Sequence, residues 1–365
     1  MDITAAVLRE VNSPLSVEQL SLAPPQAGEV LIEMKASGVC HSDWHCVTGD
    51  SVVDLPVVLG HEGSGVVAEL GVDVEGLAVG DHVALSWIPY CGTCRECSGG
   101  ATHLCGTYLD ALWSGTMLDG TRRLIDADGE PVFHLSALST WATHAVVPAI
   151  SCVRMPDVPF EISALIGCGV TTGVGAALNK ARVTPGSSVV VFGAGGVGLS
   201  IIMGAAHAGA ETIVAVDLHD DKAELARSVG ATHFVAGAEP LEEVLELTNG
   251  VGCDYAFDAV GLASIEASLT SYLARRGTAV LVGIPAGGTS FPVDPTQFIR
   301  EEKVLTGSIF GSADTHRDFV DYANLYRDGA LPLDRLITSR YSLADINSAC
   351  AEMVSGHAGR GVLMF

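Results

Sequence analysis

Residues 189–200, VVVFGAGGVGLS, decide how the middle of this chain folds. Glycines at 193, 195 and 198 spell G-x-G-x-x-G. Glycine-rich turns are common, so the motif alone is weak. Its context strengthens it: an unbroken apolar run comes before and an uncharged helical stretch after. That pattern fits a buried strand, a tight turn and a buried helix. Gly193, Gly195, Gly196, Val197 and Gly198 would let backbone amides approach a pyrophosphate at the helix N-terminus. The next apolar run, TIVAVD, ends in Asp217, nineteen residues after Gly198. A carboxylate at that spacing accepts from ribose hydroxyls and repels a 2′-phosphate, so NAD is expected over NADP. Lys222 is placed to reach the same ribose.

Outward from this motif the pattern continues. Between 171 and 308, THFVAG, CDYAFDAV and TAVLVGI read as further buried strands, with helical stretches such as DDKAELARSVG between some of them. Alternating strands and helices predict a parallel α/β sheet. Residues 1–170 differ: short apolar runs such as EVLIEMKASG end at glycines and read as a mostly β domain. The tail holds two helix-like segments and closes on RGVLMF. The expected organisation is one domain made of 1–169 and 310–365, interrupted by a nucleotide-binding domain at 170–309.

The chain has 365 residues, of which 48% are hydrophobic, so a large core is expected rather than disorder. A formal net charge of −24 repels phosphate backbones and anionic membranes, so neither nucleic acid nor membrane is an expected partner. Residues 188–210 carry no charge, but the glycines clustered at 193–198 make them strand, turn and helix rather than a span. No basic leader opens the sequence, and a cytoplasmic location is expected.

Ten cysteines in such a chain suggest metal rather than disulfides. Cys91, Cys94, Cys97 and Cys105 form C-x2-C-x2-C-x7-C. Four thiolates at that spacing close a tetrahedral shell of structural zinc. An iron–sulfur run would end in a gap of about three residues followed by proline; here Gly106 follows a gap of seven. A catalytic zinc needs three ligands and an open position. Cys40 in VCHSDWHC, His61 in LGHEGSG and Cys168 in LIGCGVTTG are candidates, but distance in sequence does not show that they converge.

Together these motifs resemble the zinc-dependent medium-chain alcohol dehydrogenases, in their classical liver-type branch and its bacterial aryl and primary alcohol members. GHEGSGVVAELGVDV matches that family's signature at Gly60, His61, Glu62, Gly65, Gly71 and Val74, and the other motifs fall in the family's order. The resemblance implies a GroES-like, mostly β catalytic domain with an inserted Rossmann domain. It assigns Cys40, His61 and Cys168 to a catalytic zinc with Glu62 behind it, and Asp43 to the second ring nitrogen of His61. It implies that zinc polarises an alcohol while hydride passes to NAD. The proton would leave through Ser42, the nicotinamide ribose and His45. His41 and Arg360 would face the pyrophosphate. Trp87, Leu109, Trp113 and Leu135 would wall a pocket for primary aliphatic or benzylic alcohols, in a homodimer. Glutathione adducts fit less well: GTYLDALW at 106–113 has no basic residue, and Ser51 stands where an acid would be needed. Two other readings are an enzyme that keeps NAD permanently bound and a non-catalytic, zinc-stabilised nucleotide binder.

Overall fold

The computed structural model describes every residue except 110, 357 and 358. Six parallel strands form one sheet in the order His233–Ala236, Thr212–Asp217, Ser188–Phe192, Cys253–Asp258, Leu273–Leu281, Val304–Gly307. The strands read as continuous apolar runs because both faces are covered. Val189 and Val191 enter one core, Val190 and Phe192 another. Strand order reverses beside Ser188–Phe192, and ligands of such sheets bind at that reversal, beyond the strands' carboxyl ends. The glycine turn lies there, followed by the helix Gly196–His207.

The remaining strands are mostly antiparallel and form two further sheets. A small closed barrel contains Asp2–Leu8, Ser16–Leu22, Val57–Val58, Leu124–Ile125 and Pro131–His134. A seven-stranded sheet is built around Glu29–Gly38, which pairs with Gly63–Leu70, His144–Pro148 and Arg360–Met364. The strand Arg360–Met364 lies inside that sheet, between Glu29–Gly38 and Ile337–Tyr341.

The helix Phe160–Ala181 links the antiparallel part to the parallel sheet. It is long and apolar enough to cross a membrane, yet 83% of its apolar window is buried inside the protein, which makes it a core helix. Its turn Ile166–Val170 is π-helical. Such a widened turn is a frequent device at functional sites, and here it carries Cys168.

Candidate active site

The strand register explains why residues far apart in sequence meet. Ser37 pairs with Gly63, and the Gly38 N–H donates to the Glu62 carbonyl at 2.9 Å. Cys40, just past one strand, is thereby set beside His61 and Glu62, just before the other. Cys168 arrives on the π-turn, where Gly167 packs so closely that an added Cβ would stand 2.9 Å from the Leu85 carbonyl oxygen. Ligand atoms of Cys40, His61, Glu62 and Cys168 all lie within 4.8 Å of one another. Two thiols and an imidazole within that radius match a Cys₂His zinc shell with room for a fourth ligand.

Charge around this group is arranged for metal binding. Cys40 is held well below the ordinary thiol range by the neighbouring Cys168 S–H, with His61 assisting. Cys168 is pushed up by the Cys40 thiolate. Burial would lower His61, but the Asp43 carboxylate outweighs it, and the imidazole is raised well above its usual range. Asp43 is fully buried. Its Oδ1 accepts the Gly60 N–H at 2.8 Å, and its Oδ2 stands 3.1 Å from His61 Nδ1, an ion-pair contact that leaves Nε2 for a metal.

Glu62 is also fully buried. Its Oε1 accepts the Gly169 N–H at 3.2 Å, and its Oε2 pairs with Arg360 Nη2. Burial pushes the Glu62 carboxyl up, against the pull of Arg360. This modifies the expectation for Arg360. Its Nη2 donates to Glu62 and to the Val39 carbonyl, 3.2 Å away, so the guanidinium serves the buried carboxylate as well as lying beside the glycine turn. Its stem still floors the glycine turn: a Cβ on Gly196 would meet Arg360 Cδ at 2.3 Å. One side chain therefore touches both the metal group and the dinucleotide turn.

At that turn Gly193 has a φ of +93°, and a Cβ on Gly198 would fall 1.7 Å from the Gly193 carbonyl oxygen. Around Gly195 a Cβ would meet nothing within 4 Å, so the backbone is open on that face. Val197 follows in the first turn of the helix. An open glycine at a helix N-terminus is a cradle that fits a pyrophosphate. Asp217 Oδ2 accepts the Ala194 N–H at 2.8 Å and Lys222 Nζ at 2.9 Å. It thus braces the turn from the end of its strand. Lys222 is a buried ion-pair partner, not a free surface lysine.

Cys91, Cys94, Cys97 and Cys105 form the second group, their sulfurs within 4.8 Å of one another. Cys91 Sγ accepts from the Thr107 hydroxyl at 3.2 Å and from the backbone N–H groups of Thr93 and Cys94 at 3.4 and 3.3 Å. The Thr107 hydroxyl and these amides bring the thiol down to about 5. A closed four-sulfur shell of this kind suits structural zinc.

The short helix His41–Thr48 carries the proposed proton path. Ser42 Oγ stands 3.8 Å from Cys40 Sγ, His41 is exposed, and His45 is half-exposed. Over the metal group sits Trp87, edge-on to His61 at 6.2 Å between ring centroids. Phe310 and Trp113 pack against Trp87 at 5.1 and 6.4 Å. Phe310 was not singled out from the sequence, because only the chain's return past the parallel sheet brings it here. Leu109 is half-buried and Trp113 is 54% exposed. Leu135 corrects the expected pocket wall: it is only 4% exposed and packs with Val39, Val47, Leu59 and Trp141 in the core.

Comparisons with known proteins agree with this geometry. Residues 26–157 match the alcohol dehydrogenase GroES-like domain, and residues 196–325 match the zinc-binding dehydrogenase domain. The chain is 37% identical to the S-(hydroxymethyl)glutathione dehydrogenase of Paracoccus denitrificans, over all of both chains. It is 36% identical to the crystal structure of an alcohol dehydrogenase zinc-binding domain protein from Burkholderia ambifaria, with a TM-score of 0.95. It is 34% identical to that of benzyl alcohol dehydrogenase from Acinetobacter calcoaceticus, with a TM-score of 0.94. Both alignments cover 100% of this chain and 99% of the other.

Proposed function

The chain belongs to the zinc-dependent medium-chain alcohol dehydrogenases, a family of NAD-dependent oxidoreductases acting on alcohols and aldehydes, and from that premise we propose that its substrates are primary alcohols with an aromatic or extended apolar group. The observation that carries this reading is Trp87, edge-on to His61, with Trp113 packed against it on the solvent side and the buried Phe310 backing it from the core. Flat apolar walls bury a ring or chain, while a small polar alcohol gains little from them.

Cys40, His61 and Cys168 would hold the catalytic zinc, and the four-cysteine lobe the structural one. When bound, the catalytic zinc supplies Lewis-acid polarisation of the substrate oxygen. The chain's own residues do the rest. Asp43 fixes His61 in the tautomer that presents Nε2. Ser42 holds its hydroxyl beside Cys40 and takes the alcohol proton, which His45 carries out to solvent. Gly195 and the helix N-terminus bind the pyrophosphate, Arg360 supports that turn from below, and Asp217 with Lys222 faces the ribose. Trp87, Trp113 and Leu109 keep water from the hydride path.

Several relatives act on S-(hydroxymethyl)glutathione. That substrate carries carboxylates, and the stretch 106–113 beside the lobe has no Lys or Arg to receive them. A panel scored by kcat/KM decides between the two. Benzyl alcohol and hexanol are expected to lead ethanol by at least about tenfold, the worth of a well-buried methylene or two. S-(hydroxymethyl)glutathione is expected to rank below them; its leading the panel would overturn the reading.

A further inference from the structure

Next to the active site stands a side-chain pair to which the chemistry above gives only half a role. His45 occupies the last turn of the helix His41–Thr48. The helix stops at Gly49, in the left-handed region at a φ of 83°, and that turn swings Asp50 back over its own helix. The Ser51 N–H donates to the His45 carbonyl at 2.9 Å and closes the loop. Asp50 Oδ2 accepts the Thr48 hydroxyl at 2.7 Å and stands 3.4 Å from His45 Nδ1. The Thr48 hydroxyl, and His45 after it, keep the Asp50 carboxyl below its usual range, so it is an anion at neutral pH. Its carboxylate is anchored beside the imidazole although the loop itself is exposed.

An anion at Nδ1 selects a tautomer. The ring proton sits on Nδ1, facing Asp50, and Nε2 is left as the acceptor. We propose that Asp50 is a positioning residue for proton release, holding His45 with Nε2 open to the departing alcohol proton. The inference rests on the proton path given to Ser42 and His45 above. The alcohol proton arrives at Nε2. Water or a buffer base then removes the proton from Nε2, while Nδ1 keeps its own. Asp50 touches neither alcohol nor cofactor in this scheme and acts only through His45.

A double-mutant cycle on the zinc-loaded enzyme tests this, read as the single-turnover rate of NADH formation at saturating benzyl alcohol. Asp50→Asn should slow that rate about three- to fivefold, the scale of an exposed ion pair. The KM values for alcohol and NAD and the zinc content should stay at parental levels. Asp50→Glu, which restores the carboxylate, should recover most of the rate. His45→Gln should slow the enzyme further, and adding Asp50→Asn to it should change nothing more. If His45→Gln slows turnover while Asp50→Asn does not, the proton path stands and the role of Asp50 is overturned. It is equally overturned if Asp50→Asn costs the same in both backgrounds, for it then acts elsewhere. If His45→Gln leaves the rate unchanged, the proton path itself fails and the role of Asp50 falls with it.

Discussion

At the scale of single residues, the site depends on buried charges whose counter-ions are one another. Glu62 and Arg360 lie more than nine-tenths buried and meet across the floor of the metal group. Breaking such a pair by removing one partner costs far more than the pair itself contributes, because the survivor keeps its desolvation penalty. Glu62→Gln leaves the Arg360 guanidinium without a counter-ion, and we predict a loss of roughly 3–5 kcal/mol in unfolding free energy. Denaturant titration of parent and variant measures it; a midpoint shift too small for 1 kcal/mol would contradict the account. This pair was not legible in the sequence. Glu62 came from a signature and Arg360 from a phosphate position, and nothing in either stretch says that they touch. By contrast, the four-cysteine lobe was legible, because all four ligands fall within one short loop.

Elements add a second layer, since strands decide which side chains share a wall. The strand Pro131–His134 closes the small barrel and buries His134 at its end. His134 Nε2 accepts the Arg123 N–H at 3.0 Å, and Nδ1 lies 3.3 Å from the Ser139 hydroxyl. Burial, with Arg123 and Arg122 nearby, pushes the imidazole down to about 3, so it folds neutral. The unfolded chain takes up a proton near the ordinary value of about 6.5. Stability from this residue is therefore complete above about pH 6.5 and is lost as pH falls towards the folded value, by about 2 kcal/mol at pH 5. His134→Gln keeps an acceptor and removes the titration. Its stability should fall less between pH 7 and pH 5 than that of the parent, as measured by urea midpoints at both values. Parallel losses in the two proteins would remove His134 from the explanation. Element-level legibility was uneven for a physical reason. The glycine turn is dictated locally, by a close approach that forbids a Cβ, so the sequence announces it. The register that joins Cys40 to His61 arises from pairing between strands apart in sequence, and no local pattern around Cys168 announces its π-turn. Only the family resemblance gave those three residues in advance. Asp50 lay in plain view after Thr48 and Gly49, but a helix-ending turn looks the same whether or not it returns onto a histidine.

For the whole molecule, the parallel sheet ends on Val304–Gly307, which pairs on one side only among the described strands. Around that edge Ile299 is 79% exposed, Ile284 63% and Val304 47%. An unpaired edge with apolar neighbours is a template for another strand, and we propose that a second copy covers it in a homodimer. Sedimentation equilibrium should give twice the mass of the 37.7 kDa chain, and Val304→Lys on the edge should shift the population towards monomer. A parent protein that sediments as a monomer at micromolar concentration would refute this. The placement of Arg360–Met364 has a consequence of another kind, in the order of synthesis. The ribosome has finished Cys40, His61 and Cys168 long before it reaches residue 360. Yet the counter-ion of Glu62, the support under Gly196 and the strand between Glu29–Gly38 and Ile337–Tyr341 all come with residues 360–364. Until they emerge, the nascent chain carries a gap in its central sheet and an acid with no cation, so the two sites become whole together.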